Sequence, residues 1–452
     1  MKSINPYNLE VIAEHKVDTD QEAMAKLELA QRTFMTHRKT SFADRKAKML
    51  VVASILRNNS AEYAKTLTLE MGKPINESVA EIEKCAWVCE YYAENAEEFL
   101  KTEVIKTEAD QSFVSYEPLG VIMAVMPWNF PFWQVFRFAA PHIMAGNTAV
   151  LKHADNVQGA AKIIEQIFLD AGYPEGTFVN LIVDVPQIEA ILRNPIIKGV
   201  SLTGSERAGA AVAKVCGEEI KPTLLELGGS NAFVVLKDAD IKAAANLGMR
   251  SRMLNNAQSC IAAKRFILEK EIADEFIEAY TAEILALKSG DPMDKSTKVG
   301  PMARVDLAEG LEKQMNKSIE LGATLVCGGK RTGAYFEPAI LTGVKPGMPA
   351  FDEELFGPVS SMIVAENADE AIELANNSIF GLGITIATRD IEKAIDLGRR
   401  VDDAAVFVNE LVKSDPRLPF GGTKKSGYGR ELSKMGIYEF VNAKTVYVKN
   451  SL

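Results

Sequence analysis

From about residue 20 to residue 100, apolar positions recur every three or four residues among Ala, Glu, Lys and Leu, which predicts helices interrupted at Gly72-Lys73-Pro74. Ile75, Val79, Ile82, Ala86, Cys89 and Ala93 fall on one face of the last of them. Between about 145 and 236 the pattern changes to short apolar runs separated by amphipathic stretches. It predicts strands at 148–151, 178–183 and 199–202, with helices over 157–171, 186–193 and 205–215. Such alternation belongs to a parallel, doubly wound α/β sheet, which binds ligands, typically dinucleotides, beyond the carboxyl ends of its strands. From about 237 to 430 the alternation continues less regularly: helices at 239–256, 271–288 and 367–376, and strands at 265–269, 359–365, 383–388 and 404–408. Segments 110–119 and 445–449 alternate in polarity, as half-exposed strands do.

The chain has 452 residues, more than one hydrophobic core usually serves, so two or three domains are expected. Its net charge of −10 is spread over mixed stretches without a basic block, which argues against nucleic acid as a partner. No apolar region follows the N-terminal residues, and no stretch approaches the ~20 apolar residues that span a bilayer. The expectation is a soluble cytoplasmic protein with reduced thiols and no membrane partner.

Five cysteines are present, Cys85, Cys89, Cys216, Cys260 and Cys327, and a lone Cys is most often a small buried hydrophobe. No pair has zinc-ligand or redox spacing, and His15, His37, His142 and His153 do not cluster with them, so no metal is expected. Cys260 stands apart. It ends the run Asn255-Asn256-Ala257-Gln258-Ser259-Cys260, in a predicted loop, and Glu226 in Leu225-Glu226-Leu227-Gly228-Gly229 precedes it at the end of the first α/β block. A thiol can form a covalent adduct with a carbonyl, and a carboxylate can activate the water that breaks it. The pair therefore predicts an enzyme with its site between domains, although Glu226 read alone could equally belong to a structural ion pair.

The dinucleotide fingerprint G-x-G-x-x-G is absent. Thr203-Gly204-Ser205-Glu206-Arg207-Ala208-Gly209 offers instead a tight turn and a capped helix start, an ordinary feature that can face a phosphate. With it stand Met126-Pro127-Trp128-Asn129-Phe130-Pro131, Val150-Leu151-Lys152, Glu226-Leu227-Gly228-Gly229, Gln258-Ser259-Cys260, Glu354-Leu355-Phe356-Gly357-Pro358 and Pro419-Phe420-Gly421-Gly422 followed by Ser426-Gly427. In these motifs, in their order along nearly the whole chain, the sequence resembles the NAD(P)-dependent aldehyde dehydrogenases. Ala257 departs from the glycine usual in that family, which should alter loop geometry more than chemistry.

The resemblance implies a Rossmann-like doubly wound NAD(P)-binding domain (1–108 and 124–227), an α/β catalytic domain (228–430) and a small β oligomerisation arm (109–123 and 431–452). It implies that Cys260 attacks the aldehyde, that Asn129 and the Cys260 N–H hold the oxyanion, and that Glu226 activates water against the thioester. Asn129 by itself also reads as a turn residue. For the cofactor it implies Trp128, Lys152, Gly204, Ser205, Leu227, Glu354 and Phe356. Asp155 sits where an acidic residue accompanies NAD in many relatives; it would repel a 2′-phosphate, so NAD is expected to be preferred, with NADP possible.

Around Leu151-Lys152-His153-Ala154-Asp155-Asn156 and over 412–420 the chain most resembles the shorter bacterial succinate-semialdehyde dehydrogenases. A substrate with a distal carboxylate needs a cation and donors, for which Arg137 and Ser414 are candidates. Ser259, Trp133 and Phe420 would line the rest of the substrate tunnel. Arg137 reads equally as a surface salt bridge and the aromatics as core. The alternatives are a broad-specificity aldehyde dehydrogenase, a cofactor-free cysteine hydrolase, and a non-catalytic binding protein on this fold. Strands from 110–119 and 445–449, pairing across subunits, imply a homodimer or homotetramer.

Overall fold

Thr19 opens the first helix, Asp20–His37, with a capping box: its hydroxyl accepts from the Glu22 N–H at 3.2 Å and the Glu22 carboxylate accepts from the Thr19 N–H at 2.7 Å. Helices Phe42–Asn58, Ser60–Met71 and Ile75–Phe99 follow. Gly72 ends the third of these four at φ +80°, and a Cβ there would stand 2.9 Å from the Pro301 carbonyl oxygen. The computed structural model describes residues 1–451.

These helices pack against a six-stranded sheet in the order Gly427–Tyr428, Thr223–Glu226, Ile197–Thr203, Val121–Met126, Thr148–His153, Phe178–Asn180. All neighbours are parallel except Gly427–Tyr428, which runs antiparallel to its partner. Val121 and Met123 enter one core while Ile122, Ala124 and Met126 enter the core on the opposite face, which is why this strand is apolar throughout. The chain winds outwards from Val121–Met126 to one side, then returns and winds to the other. The switch point between Val121–Met126 and Ile197–Thr203 is where doubly wound sheets bind ligands.

A second sheet has seven strands, in the order Thr324–Cys327, Ala339–Thr342, Val359–Ala365, Ala263–Glu269, Asn231–Val235, Ile384–Ala387, Val406–Val408. Its helices include Ile241–Met253, Ala273–Leu285 and Ala368–Asn376. A third, antiparallel sheet joins Val441–Val448 to Gln111–Pro118 and the latter to Glu103–Val104.

Three expected boundaries shift. Residues 121–123, expected in the arm, begin the central strand of the first sheet, because a run apolar on both faces must be buried on both. Residues 432–440, also expected in the arm, return to the first core, where Leu432, Ile437 and Phe440 are buried. Gly427–Tyr428, expected in the catalytic domain, extends the edge of the first sheet. The strands expected over 110–119 and 445–449 pair with each other within one chain. Among the described residues no helix is long and apolar enough to cross a membrane, and no group of His, Cys, Asp or Glu could hold a metal ion.

The helix Trp133–Ala145 carries several side chains of the site but has no side-chain cap of its own. Glu81 supplies one, accepting from the N–H groups of Phe132 and Trp133 at 2.8 and 2.9 Å while pairing with the buried Lys73. Glu81→Ala should therefore strand a buried ammonium and two N–H groups, at a cost of about 3–5 kcal/mol. A clear fall in the thermal unfolding midpoint is expected; an unchanged midpoint would show that water replaces the carboxylate.

Candidate active site

Cys260 lies between the helix Ile241–Met253 and the strand Ala263–Glu269. Before it, Asn255, Asn256 and Ala257 all adopt left-handed backbone, with φ of +61°, +52° and +61°. Asn tolerates this region, and here its side chains repay the loop. The Asn255 amide donates to the carbonyls of Asn129 (2.7 Å) and Gln258 (3.0 Å), and the Asn256 amide donates to those of Gly72 and Pro301, each at 2.9 Å. Ala257 has no such side chain and occupies a conformation that favours glycine, so its departure from the family pattern falls on backbone strain.

A buried cation braces this loop. Lys264 donates to the carbonyls of Ser259 (2.7 Å) and Cys260 (2.6 Å) and to Glu354 at 3.0 Å, which fixes the Cys260 peptide from behind. Among the described residues nothing accepts from the Cys260 backbone N–H. Burial pushes the Cys260 thiol up to about 11, against the pull of Lys264 and Arg137. The resting thiol is thus protonated at neutral pH, and the thiolate must be generated by a base. Cys85 and Cys89 are fully buried core residues with thiols raised by the same desolvation.

Asn129 follows the central strand. Its amide N–H donates to the Gln258 carbonyl at 3.0 Å, and its oxygen accepts from the Gln134 amide at 3.0 Å, so Gln134 sets which end of Asn129 faces the cysteine loop. One N–H of that amide is left for a ligand. His153 braces the segment between Met126 and Pro131, lying 2.8 Å from the Pro131 carbonyl oxygen, and burial lowers its pKa to about 4. It stays neutral and structural.

Glu226 ends the strand Thr223–Glu226 opposite Gly427, where a Cβ would stand 1.9 Å from the Leu225 carbonyl oxygen. Only glycine lets the Ser426-Gly427 segment lie so close. The Glu226 carboxylate is 2 % exposed and neither oxygen has a hydrogen-bond partner. Burial first and Glu431 second raise its pKa well above the carboxylate range; Arg137 and Arg430 oppose them. Glu431, raised to about 7, pairs with Arg137, which also donates to Thr203 Oγ1 at 3.3 Å and lies 4.7 Å from the centre of the Phe420 ring. Arg137 is therefore neither a surface salt bridge nor a free cation: its charge is matched inside the protein.

Two cavities meet at Cys260 and Gln134. One, of about 200 Å³, is lined by the expected substrate residues Trp133, Arg137, Ser259, Ser414 and Phe420. The other, of about 260 Å³, lies at the switch point and is lined by Trp128, Asn129, Gly204, Ser205, Leu227, Glu354 and Phe356. Trp128 and Phe356 meet edge to face there, with ring centres 5.7 Å apart. Lys152 and Asp155 line neither cavity; they bind each other at 2.8 Å, with the Asp155 side chain 57 % exposed. Gln134, Lys264 and Glu431 were not singled out by sequence. Two adjacent cations, Lys264 and Arg265, shortly after Cys260 and just before the apolar run Phe266-Ile267-Leu268 were the available signal for Lys264.

The sequence model of the aldehyde dehydrogenase family matches residues 1–446. The chain belongs to the aldehyde dehydrogenase family. It is 48% identical to a probable succinate-semialdehyde dehydrogenase [NADP(+)] of Synechocystis sp. over 99% of both chains. It is 46% identical to the succinate semialdehyde dehydrogenase [NAD(P)+] of Escherichia coli, over 93% of this chain and 92% of that one. The crystal structure of a succinic semialdehyde dehydrogenase from Streptococcus pyogenes in complex with NADP+ superimposes with a TM-score of 0.97, at 38% identity, covering 99% of this chain and 100% of that one. In this aldehyde dehydrogenase the thiol, the carboxylate and the amide thus come from three separate segments, and two cavities reach the thiol.

Proposed function

We propose that this aldehyde dehydrogenase oxidises succinic semialdehyde to succinate with NADP. One observation carries the reading: the cavity lined by Cys260 combines apolar walls, Trp133, Ile261 and Phe420, with the cation Lys84 and the hydroxyl of Ser414, as an aldehyde carrying a carboxylate requires. The names of the 46–48% identical relatives support the same substrate.

The chemistry follows from the side chains. Glu226, its proton affinity raised by burial, takes the Cys260 proton; Sγ then adds to the aldehyde carbon. The free Asn129 N–H and the Cys260 N–H receive the oxyanion. Bound NAD(P) supplies the hydride acceptor. A thioester remains on Sγ; Glu226, having released its first proton to solvent, takes a second from the attacking water, and that proton returns to Sγ as the acid departs. The second cavity fits such a cofactor. A Cβ on Gly204 would meet only Leu202 and Ala208, at 3.5 and 4.0 Å, so the protein itself does not demand glycine, whereas a phosphate at the start of the helix Glu206–Glu218 would. Ser205 and Gly204 would hold the pyrophosphate, Glu354 a ribose, and Trp128, Leu227 and Phe356 would line the nicotinamide end.

The expected preference for NAD is corrected here. It rested on repulsion by Asp155, but that carboxylate is paired with Lys152 and interacts with Arg304, so neighbouring cations offset its repulsion of a 2′-phosphate. The cofactors named for the relatives agree. Following reduced-nicotinamide absorbance with succinic semialdehyde, kcat/KM should be higher with NADP than with NAD; the reverse order would refute this assignment. Butanal and other uncharged aldehydes in the same assay should be poorer substrates, and parity with succinic semialdehyde would favour a broad-specificity enzyme.

The strand Val441–Val448 leaves one edge of the three-stranded sheet open, with Tyr447 exposed, which supports assembly as a homodimer or homotetramer through that edge. Five unpaired cysteines, including the nucleophile, suit a reducing cytoplasm.

A further inference from the structure

We propose that Lys84 is the residue that selects the substrate, its ammonium and the Ser414 hydroxyl together binding the carboxylate at the far end of the aldehyde. This deepens the succinic semialdehyde reading and rests on it. Lys84 projects from the helix Ile75–Phe99 into the cavity that Cys260 closes. Its ammonium lies 4.2 Å from the centre of the Trp133 ring and donates to Ser414 Oγ at 2.8 Å. Because that oxygen accepts from Lys84, its O–H is free to donate to an incoming anion.

Among the described residues no carboxylate pairs with Lys84, and each acidic neighbour is committed elsewhere. Glu81 holds Lys73 and two amides of the next helix. Asp415 holds Arg417 at 2.7 Å. Glu83 holds Arg57 at 3.2 Å. Glu77 shares the cavity wall but makes no ion pair with Lys84 and is committed to the Asn255 N–H, from which it accepts at 2.6 Å. Burial meanwhile lowers Lys84 to about 8, with Arg137 adding to the fall. An ammonium kept in such a place without a counter-ion is costly unless a ligand provides one.

Arg137 does not meet this need, since Glu431 already matches its charge. Its place beside Glu431 and Glu226 makes it a positioning residue for the base. Lys84 and Ser414 supply instead a charge and a donor on the wall of the cavity that Cys260 also lines, so an ω-oxo acid held there presents its carboxylate to them and its aldehyde to the thiol. An uncharged aldehyde of the same length leaves Lys84 unpaired.

The test compares kcat/KM for succinic semialdehyde and butanal in the wild type, Lys84→Met and Lys84→Arg, with saturating NADP. The wild type should prefer the acid. Lys84→Met should lower the ratio of the two values by roughly 10- to 100-fold, carried mainly by KM for the acid, as loss of a charged hydrogen bond implies. Lys84→Arg, which keeps the charge, should restore part of it; Lys84→Gln serves in place of methionine if that variant does not fold. A wild type without preference overturns the substrate reading, and this inference falls with it. A wild type that prefers the acid while Lys84→Met keeps the ratio overturns the role of Lys84 alone. Equal losses of kcat for both aldehydes would make Lys84 a structural residue, and so also overturn it.

Discussion

Replacing Cys260 by Ala should lower aldehyde oxidation by at least about 10⁴-fold, because removing the nucleophile ends covalent catalysis. The thiol touches no buried hydrogen-bond network: the loop is held by Asn255, Asn256 and Lys264, which act through side-chain bonds to backbone carbonyls. The variant should therefore fold and still bind NADP, as a thermal shift on adding cofactor would register. In the unmodified enzyme the same thiol sets the pH response. Its pKa is raised by burial to about 11, and that of Glu226 is raised too, so both are protonated at low pH and gain reactivity on losing their protons. kcat/KM should accordingly climb from acid through neutral towards alkaline pH. A residual rate in Cys260→Ala within tenfold of the wild type would remove the thiol from the mechanism.

Glu226→Gln should separate the two halves of the reaction. An amide of the same shape cannot take a proton from water, and the loss of a general base costs roughly 10²–10⁴-fold. The fold should tolerate the change, since a neutral side chain beside Glu431 removes a like-charge contact that now raises the pKa of Glu226. Steady-state turnover should fall by that factor while one equivalent of reduced nicotinamide still forms rapidly, provided Sγ can lose its proton to solvent at alkaline pH. Loss of the burst together with turnover at alkaline pH would contradict this separation and show that Glu226 is needed before hydride transfer.

The parts of the site written as contiguous motifs were legible from sequence. Gln258-Ser259-Cys260, Thr203-Gly204-Ser205 and Met126-Pro127-Trp128-Asn129 each end on a loop beside the switch point, and the alternation over 148–215 located the strand and helix that bring Thr203-Gly204-Ser205 there. What sequence hid were partnerships between distant segments. Arg137 reads as a lone cation on an amphipathic helix until Glu431, from the far end of the chain, closes on it through the paired backbone of Phe420 and Glu431. Lys84 looks like a solvated helix lysine, since nothing in its own segment says that Trp133 and Ser414 will cover it. Asp155 misled because its charge was counted and its partner three residues earlier was not. The strand Gly427–Tyr428 is too short to carry a period, and Val121–Met126, apolar throughout, has no alternation to mark it.

An acyl group that resides on Cys260 until Glu226 delivers water should accumulate once that base is removed. Glu226→Gln, mixed with NADP and succinic semialdehyde, quenched in acid and examined by intact-protein and peptide mass spectrometry, tests it directly. At alkaline pH the protein should become heavier by one succinyl group, with the added mass confined to the peptide containing Cys260 and absent when NADP is omitted. Unmodified protein after a full burst of NADPH, or an acyl group on any other residue, would contradict it.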